Sequence, residues 1–234
     1  MAAGLKLSVI IPVGPGDPAW RALLGDLAVL DADAEILLVA TPGDGPTDFA
    51  AGDYGLCVPA RWLEAPAGRA RQQNAGAAAA GGTTLWFLHA DSRLPARSVA
   101  AALRFAGTAA LGYFDLRFLD DGPRLARLNA LGAWLRSRWL RLPFGDQGLI
   151  LPGALFRSLG GFDESLTAGE DHALVWAARR AGIPLMPLRA PLRTSARRYA
   201  EHGWLRTTLE HGRLTISQAR RFAGASPGAE SEPR

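Results

Sequence analysis

The sequence predicts an α/β fold with a mainly parallel sheet, and three observations carry that expectation. Short apolar runs recur at residues 7–13, 36–40 and 85–88, the pattern of strands covered on both faces. Stretches with helical spacing stand between the strands. Alternation of this kind requires crossover connections, which run right-handed and leave the strands parallel.

The elements follow in order along the chain. The run over 7–13 ends at Gly14-Pro15-Gly16. Asp17 is suited to cap a helix with Pro18 at its first position, and Trp20, Leu23, Leu24, Leu27 and Leu30 share one face. Residues 36–40 make a second buried strand. Residues 68–80 form an alanine-rich helix, in which Gly76 marks a close approach to the sheet. The strand over 85–88 stops abruptly at His89-Ala90-Asp91.

A helix is expected over 95–106. In the strand over 113–118, Phe114, Leu116 and Phe118 face one side and Tyr113, Asp115 and Arg117 the other, so it should be half exposed. Leu125, Leu128, Leu135, Trp139 and Leu142 mark a further helix, whole or broken. Gly145-Asp146-Gln147-Gly148 leads into a strand over 149–151. Residues 170–181 form a helix with acids in its first turn and Arg179-Arg180 in its last, as the helix dipole prefers. Residues 184–192 are extended and 204–222 helical. There is no internal repeat.

At 234 residues the chain has the size of one domain, expected over 1–222, with 223–234 a polar tail expected to be disordered. Hydrophobic residues make up 48% and charged residues 21%, the balance of a soluble globular protein. Lys and Arg number 26 against 22 Asp and Glu, and nearly all the cations are arginine. Arginine suits an anionic ligand, although a solvated arginine surface explains the excess equally well. No compact basic run with interleaved aromatics is present, so nucleic acid is not an expected partner. Cys57 is the only cysteine, so a reducing compartment is expected. No run of about 18 apolar residues is available to span a bilayer. The first residues run straight into a strand, leaving no room for a signal peptide. These features predict a cytoplasmic protein with at most peripheral membrane contact.

The sharpest chemical feature is Leu85-Trp-Phe-Leu-His-Ala-Asp-Ser92, a buried strand followed at once by an imidazole and a carboxylate. In a parallel sheet, ligands sit beyond the carboxyl ends of the strands. One carboxylate there suffices for a hard divalent cation when the substrate supplies further oxygens. Asp91 is therefore a cation ligand or, alternatively, the cap of the following segment. His89 is a nucleotide or metal contact or else a structural histidine.

Several motifs resemble, in order and spacing, the landmarks of family 2 glycosyltransferases. They are Leu7-Ser-Val-Ile-Ile-Pro12, Gly68-Arg-Ala-Arg-Gln-Gln-Asn-Ala-Gly76, Phe87-Leu-His-Ala-Asp-Ser92, Gly160-Gly-Phe162 and Gly169-Glu-Asp171. Phe114-Asp115, Gly145-Asp-Gln-Gly148 and Thr194-Ser-Ala-Arg-Arg-Tyr199 further resemble a bacterial subgroup of small soluble family 2-like transferases. The resemblance implies a GT-A fold, a nucleoside-diphosphate sugar donor such as a UDP- or GDP-sugar, Mg²⁺ or Mn²⁺, and inversion at the anomeric carbon.

On this resemblance Asp91 matches the last acid of the Asp-X-Asp metal signature, and His89 takes the place of the first. Asp171 matches the catalytic base, with Glu170 orienting it or the acceptor. Pro12 closes the first landmark. Arg69 and Arg71 either face the diphosphate or are solvated surface arginines, Asn74 would add an amide contact, and Asp146 and Gln147 would meet sugar or acceptor hydroxyls unless Asp146 serves to stabilise its turn. Arg197 and Arg198 would close over phosphate from a late loop. The segment Trp134 to Leu142, with its interleaved arginines, would either pack beside the acceptor or touch a membrane or lipid-linked acceptor.

The sequence departs from the family after its first two strands, where Val13-Gly14-Pro15-Gly16-Asp17 and Ala40-Thr41-Pro42-Gly43-Asp44 replace acidic turns. Asp17 and Asp44 are candidate substitutes. The departures keep open a catalytically silent nucleotide- or sugar-binding module. A nucleotidyltransferase is a third alternative, disfavoured because no basic phosphate loop follows the first strand.

Overall fold

The structure is a computed structural model that describes residues 6–46 and 48–223, excepting the side chains of 198, 202, 210, 211, 214, 216 and 218–223. The expected tail over 223–234 thus falls outside the described residues, save for Ala223 at the end of the last helix.

The strands are β1 (Leu7–Pro12), β2 (Ala34–Ala40), β3 (Ala60–Glu64), β4 (Thr84–Phe87), β5 (Leu111–Phe118), β6 (Ile150–Pro152) and β7 (Leu185–Thr194). They form one sheet in the order β3-β2-β1-β4-β6-β5-β7. β6 runs antiparallel to both neighbours, and the other pairings are parallel. The α/β class with a mainly parallel sheet is the architecture observed.

The helices are α1 (Trp20–Leu27), α2 (Arg69–Ala79), α3 (Ala96–Phe105), α4 (Ala126–Trp139), α5 (Gly153–Ser158), α6 (Glu170–Arg180), α7 (Arg197–His202) and α8 (Trp204–Ala223). Every residue of β1, β2 and β4 is buried, because helices cover both faces. On one face Val9, Ile11 and Leu38 pack with Leu24 of α1 and Val99 of α3. On the other, Ile10, Leu37 and Phe87 pack with Ala70 of α2, Phe156 of α5 and Val175 of α6. Gly76 is where α2 touches the sheet. A Cβ there would lie 2.5 Å from the Ile10 side chain and 3.2 Å from that of Val39.

Three expectations are corrected. Asp17 is not the helix cap: its carboxylate accepts the Ala19 N–H at 2.9 Å and shapes the turn, and the helix begins at Trp20. The strand around 113–118 is not half exposed throughout, since Tyr113 is buried and donates its hydroxyl to Ser137 O at 3.1 Å. The segment after β7 is a helix, α7, rather than a loop.

Beyond Phe87 the chain continues outward, with Leu88 N–H bonded to Ile10 O at 3.0 Å. This carries His89 and Asp91 past the carboxyl edge of the parallel strands. The N-terminus of α6 and a short 3₁₀ turn over Gly145–Gln147 close over the same edge.

Candidate active site

A cavity of about 590 Å³ opens at this edge. The segment after β4 contributes His89 and Asp91, α2 contributes Arg69, and the start of α6 contributes Gly169, Asp171 and His172. Asp146 enters from the 3₁₀ turn, and Thr194 and Arg197 enter from β7 and α7. Asn129, Ala133 and Arg136 form the α4 wall. Asp91 and Asp171, far apart in sequence, thus face one space.

Asp171 is held by backbone. Its Oδ2 accepts the Gly145 N–H and its Oδ1 the His172 N–H at 2.9 Å. Burial works against its charge, but the His172 ring, the Gly145 N–H, the Arg69 guanidinium and the His172 N–H outweigh it. The carboxyl therefore titrates below the ordinary range for Asp. His172 itself is pushed down to about 4, chiefly by burial and also by Arg136, so at neutral pH its ring is uncharged. The hold on the Asp171 charge then rests on the two N–H groups and Arg69.

Asp146 behaves oppositely. Burial raises its pKa, with Asp171 and Asp91 adding like charge, while Arg136 and His89 oppose the rise. Its buried Oδ1 has no hydrogen-bond partner. Asp91 accepts the Thr194 hydroxyl on Oδ2 at 3.2 Å.

Arg69 links two neighbours. Its Nε pairs with Glu170 Oε1 at 2.9 Å, and its Nη1 lies 3.1 Å from His89 Nε2. A guanidinium only donates, so His89 Nε2 is the acceptor and the ring is neutral. Burial and Arg69 both lower the His89 pKa, in agreement with that geometry. A nitrogen occupied by a cationic donor is a poor metal ligand, so Nε2 of His89 is not free for a cation in this arrangement.

Other expected site residues are placed elsewhere. Glu170 is buried against Arg69 and does not line the cavity, so its direct contact is the guanidinium and not an acceptor or Asp171. Gln147 is also buried: Nε2 donates to Phe114 O at 2.9 Å, and Oε1 accepts from Ser137 Oγ at 2.7 Å and Phe144 N at 3.1 Å. It braces the 3₁₀ turn instead of meeting a ligand. Asn74 pins the Gly160-Gly161-Phe162 turn, donating to Phe162 O at 2.9 Å and accepting Phe162 N–H at 3.0 Å. Arg71 points to solvent, 4.0 Å from Glu164. Asp44 is exposed, takes the Thr41 hydroxyl, and stands apart from the lining. Pro12 is the buried last residue of β1, paired with Val39, and is not among the cavity-lining residues. The Arg198 side chain lies outside the described residues. Asp17, by contrast, does line the cavity.

Sequence reasoning missed Arg136, Asn129, His172 and Thr194 as lining groups. Arg136 is the clearest case. Its Nε bonds Leu142 O at 3.0 Å, and its guanidinium lies 3.2 Å from the centre of the Phe144 ring, which itself packs on His172. The helical spacing of Asn129, Ala133 and Arg136 was a usable signal, since these positions share a face.

No protein-family model and no curated protein matches the sequence. Solved structures do match. S. aureus TarS 1–349 in complex with UDP-GlcNAc has a TM-score of 0.60 at 18% identity, covering 82% of this chain and 58% of that one. The same protein in complex with UDP gives 0.61 at 19% identity, with 82% and 61% covered. The mannosyltransferase PcManGT from Pyrobaculum calidifontis, in complex with GDP-Man and Mn²⁺, gives 0.57 at 18% identity, with 81% and 57% covered. The chain spans about six-tenths of the length of these proteins. The GT-A fold expected from the sequence is the fold they share with it.

Proposed function

We propose that the chain is a metal-dependent, inverting glycosyltransferase that moves a sugar from a nucleoside-diphosphate donor to a hydroxyl acceptor. The observation that carries this is the meeting of Asp91 and Asp171 in one cavity beyond the carboxyl ends of the parallel strands. UDP-GlcNAc, UDP and GDP-Man are ligands of proteins that share the fold, which supports a UDP- or GDP-sugar as the donor class.

The residues fit Mg²⁺ or Mn²⁺. Asp91 offers a hard carboxylate, and the unpartnered Asp146 Oδ1 is a second oxygen nearby in the same lining. Among the described residues no three ligating side chains cluster, so donor phosphate oxygens would complete the shell. A bound cation would offset the charge growing on the departing diphosphate.

The chain's own groups do the rest. Arg69 and Arg197 line the cavity as donors for phosphate oxygens, and Glu170 fixes the first of them. Asp171, kept ionised by the Gly145 N–H, is the base that takes the acceptor hydroxyl proton as that oxygen attacks the sugar carbon opposite the leaving diphosphate. Attack from the opposite face inverts the anomeric centre.

Transfer assays over a panel of nucleotide sugars with Mn²⁺ test this. Asp91→Asn, or chelation of the metal, should abolish turnover. Asp171→Asn should lower it roughly 100- to 10,000-fold with donor binding nearly intact. Undiminished transfer by both variants would sink the assignment.

A further inference from the structure

We infer that the outward face of α4 docks the chain on an anionic membrane surface. On this helix Ala126, Ala130 and Ser137 are buried, and Asn129, Ala133 and Arg136 line the cavity. The opposite face is apolar too. Leu128, Leu131, Leu135 and Trp139 recur at three- and four-residue spacing and share one stripe. They are 54%, 53%, 39% and 77% exposed, against 2% to 5% for the inward alanines.

An amphipathic helix of a globular protein turns polar residues outward, so a stripe of this kind marks a surface that something covers. Leu140 is exposed just past the end of α4. Two further exposed leucines, Leu205 and Leu209, stand on α8 beside Trp204 and Thr208, which clasp Asn129 of α4.

Charge decides what the cover is. From Gly122 to Gly145 the chain carries five arginines, at 124, 127, 136, 138 and 141, and no acidic residue. Arg138 is paired with Asp115 at 2.8 Å and Arg127 with the exposed Asp120 at 3.2 Å, so Arg124 and Arg141, both exposed beside the apolar stripe, carry most of the excess positive charge. A symmetric contact with a second copy would bring this cationic surface against itself, because a two-fold interface repeats the same patch on both sides. An anionic lipid surface instead takes up both features: leucine and tryptophan enter the headgroup boundary while arginines meet phosphates. Since the same helix forms a wall of the cavity, a docked chain holds that cavity beside the bilayer. The inference does not depend on the proposed reaction.

Vesicle sedimentation tests it on the full chain without any donor. The protein should sediment with vesicles of phosphatidylcholine and phosphatidylglycerol, far less with phosphatidylcholine alone, and less as salt is raised. The double variant Leu135→Ser/Trp139→Ser, at exposed positions and with an unchanged melting temperature, should lose roughly tenfold or more in partitioning. Arg124→Glu/Arg127→Glu should weaken binding to the anionic vesicles selectively. Failure to sediment with anionic vesicles would overturn the inference, as would binding that both variants leave unchanged. A dimer in light scattering that Leu135→Ser/Trp139→Ser splits, in a protein that ignores vesicles, would overturn it in favour of contact between copies.

Discussion

The two sides of the sheet use large aromatic residues in opposite ways. On the β1-β2-β4 side Trp86 is fully buried and stacks on Phe114 at 5.2 Å, while Trp20 sits among Phe49, Tyr54 and Trp62. On the α4 side Trp139 is 77% exposed and Trp134 is 38% exposed. The first region spends its apolar surface on its own core, and the second keeps it available. The sharpest way to break this contrast is to truncate one tryptophan from each region. Trp86→Ala should cost about 3–5 kcal/mol, the usual loss for a buried large aromatic. Trp139→Ala should stay within about 0.5 kcal/mol. Urea unfolding of the two variants measures both, and equal losses would show that α4 is packed against something in the isolated chain.

A second effect separates the cavity floor from the core. The folded-state pKa of His172 is about 4, below its ordinary value of 6.5. Between those values the unfolded chain binds a proton that the folded chain refuses, so stability is complete above about pH 6.5 and falls as the pH drops toward 4. The expected loss between pH 7 and 5 is about 2 kcal/mol. His172→Gln should flatten this part of the stability profile while leaving the contribution of the β1-β2-β4 core untouched. An unchanged slope in the variant would assign the pH dependence to other groups.

The same contrast explains what the sequence made legible. Strands buried on both faces announce themselves as apolar runs, and β1, β2 and β4 were readable for that reason. β3, with the sequence Ala-Arg-Trp-Leu-Glu, lies at the sheet edge and is only partly buried, so neither an apolar run nor a clean alternation marks it. For site residues the chain shows chemistry but not direction. Asn74 and Gln147 are polar residues in the right motifs, yet both spend their amides on backbone groups. Arg69 and Arg71, two residues apart on one helix, point to different places, the first to the cavity and the second to Glu164. For Arg136 the sequence offers acceptor-side packing or membrane contact alike, and only the packing of Phe144 over it shows that it is enclosed.

Smaller effects test how tightly the proposed base, Asp171, is held. Gly145 sits against Asp171, and a Cβ there would lie 2.9 Å from the Asp171 Oδ2 and 3.2 Å from its Cβ. The two parts must shift by several tenths of an ångström to admit a methyl group. Gly145→Ala should therefore lower kcat roughly tenfold through misplacement of the carboxylate, with a much smaller change in stability. Steady-state kinetics beside a thermal melt checks this, and a proportionate loss of both would mean that the glycine serves folding alone.

The smallest shift expected is in pH dependence. As the proposed base Asp171 must be ionised to act, so activity should fall as the pH drops through its pKa, which lies below the ordinary carboxylate range. Arg69 favours the charged form, and removing it raises that pKa. Arg69→Gln should accordingly move the acid limb of kcat toward higher pH, by up to about one unit. Glu170 loses its partner in the same variant, so Glu170→Gln is the control: it frees Arg69 without removing its charge, and should shift the limb little or in the opposite direction. If both substitutions moved the limb upward alike, the geometry of the Arg69–Glu170 pair, and not the guanidinium charge, would be what keeps the base ionised.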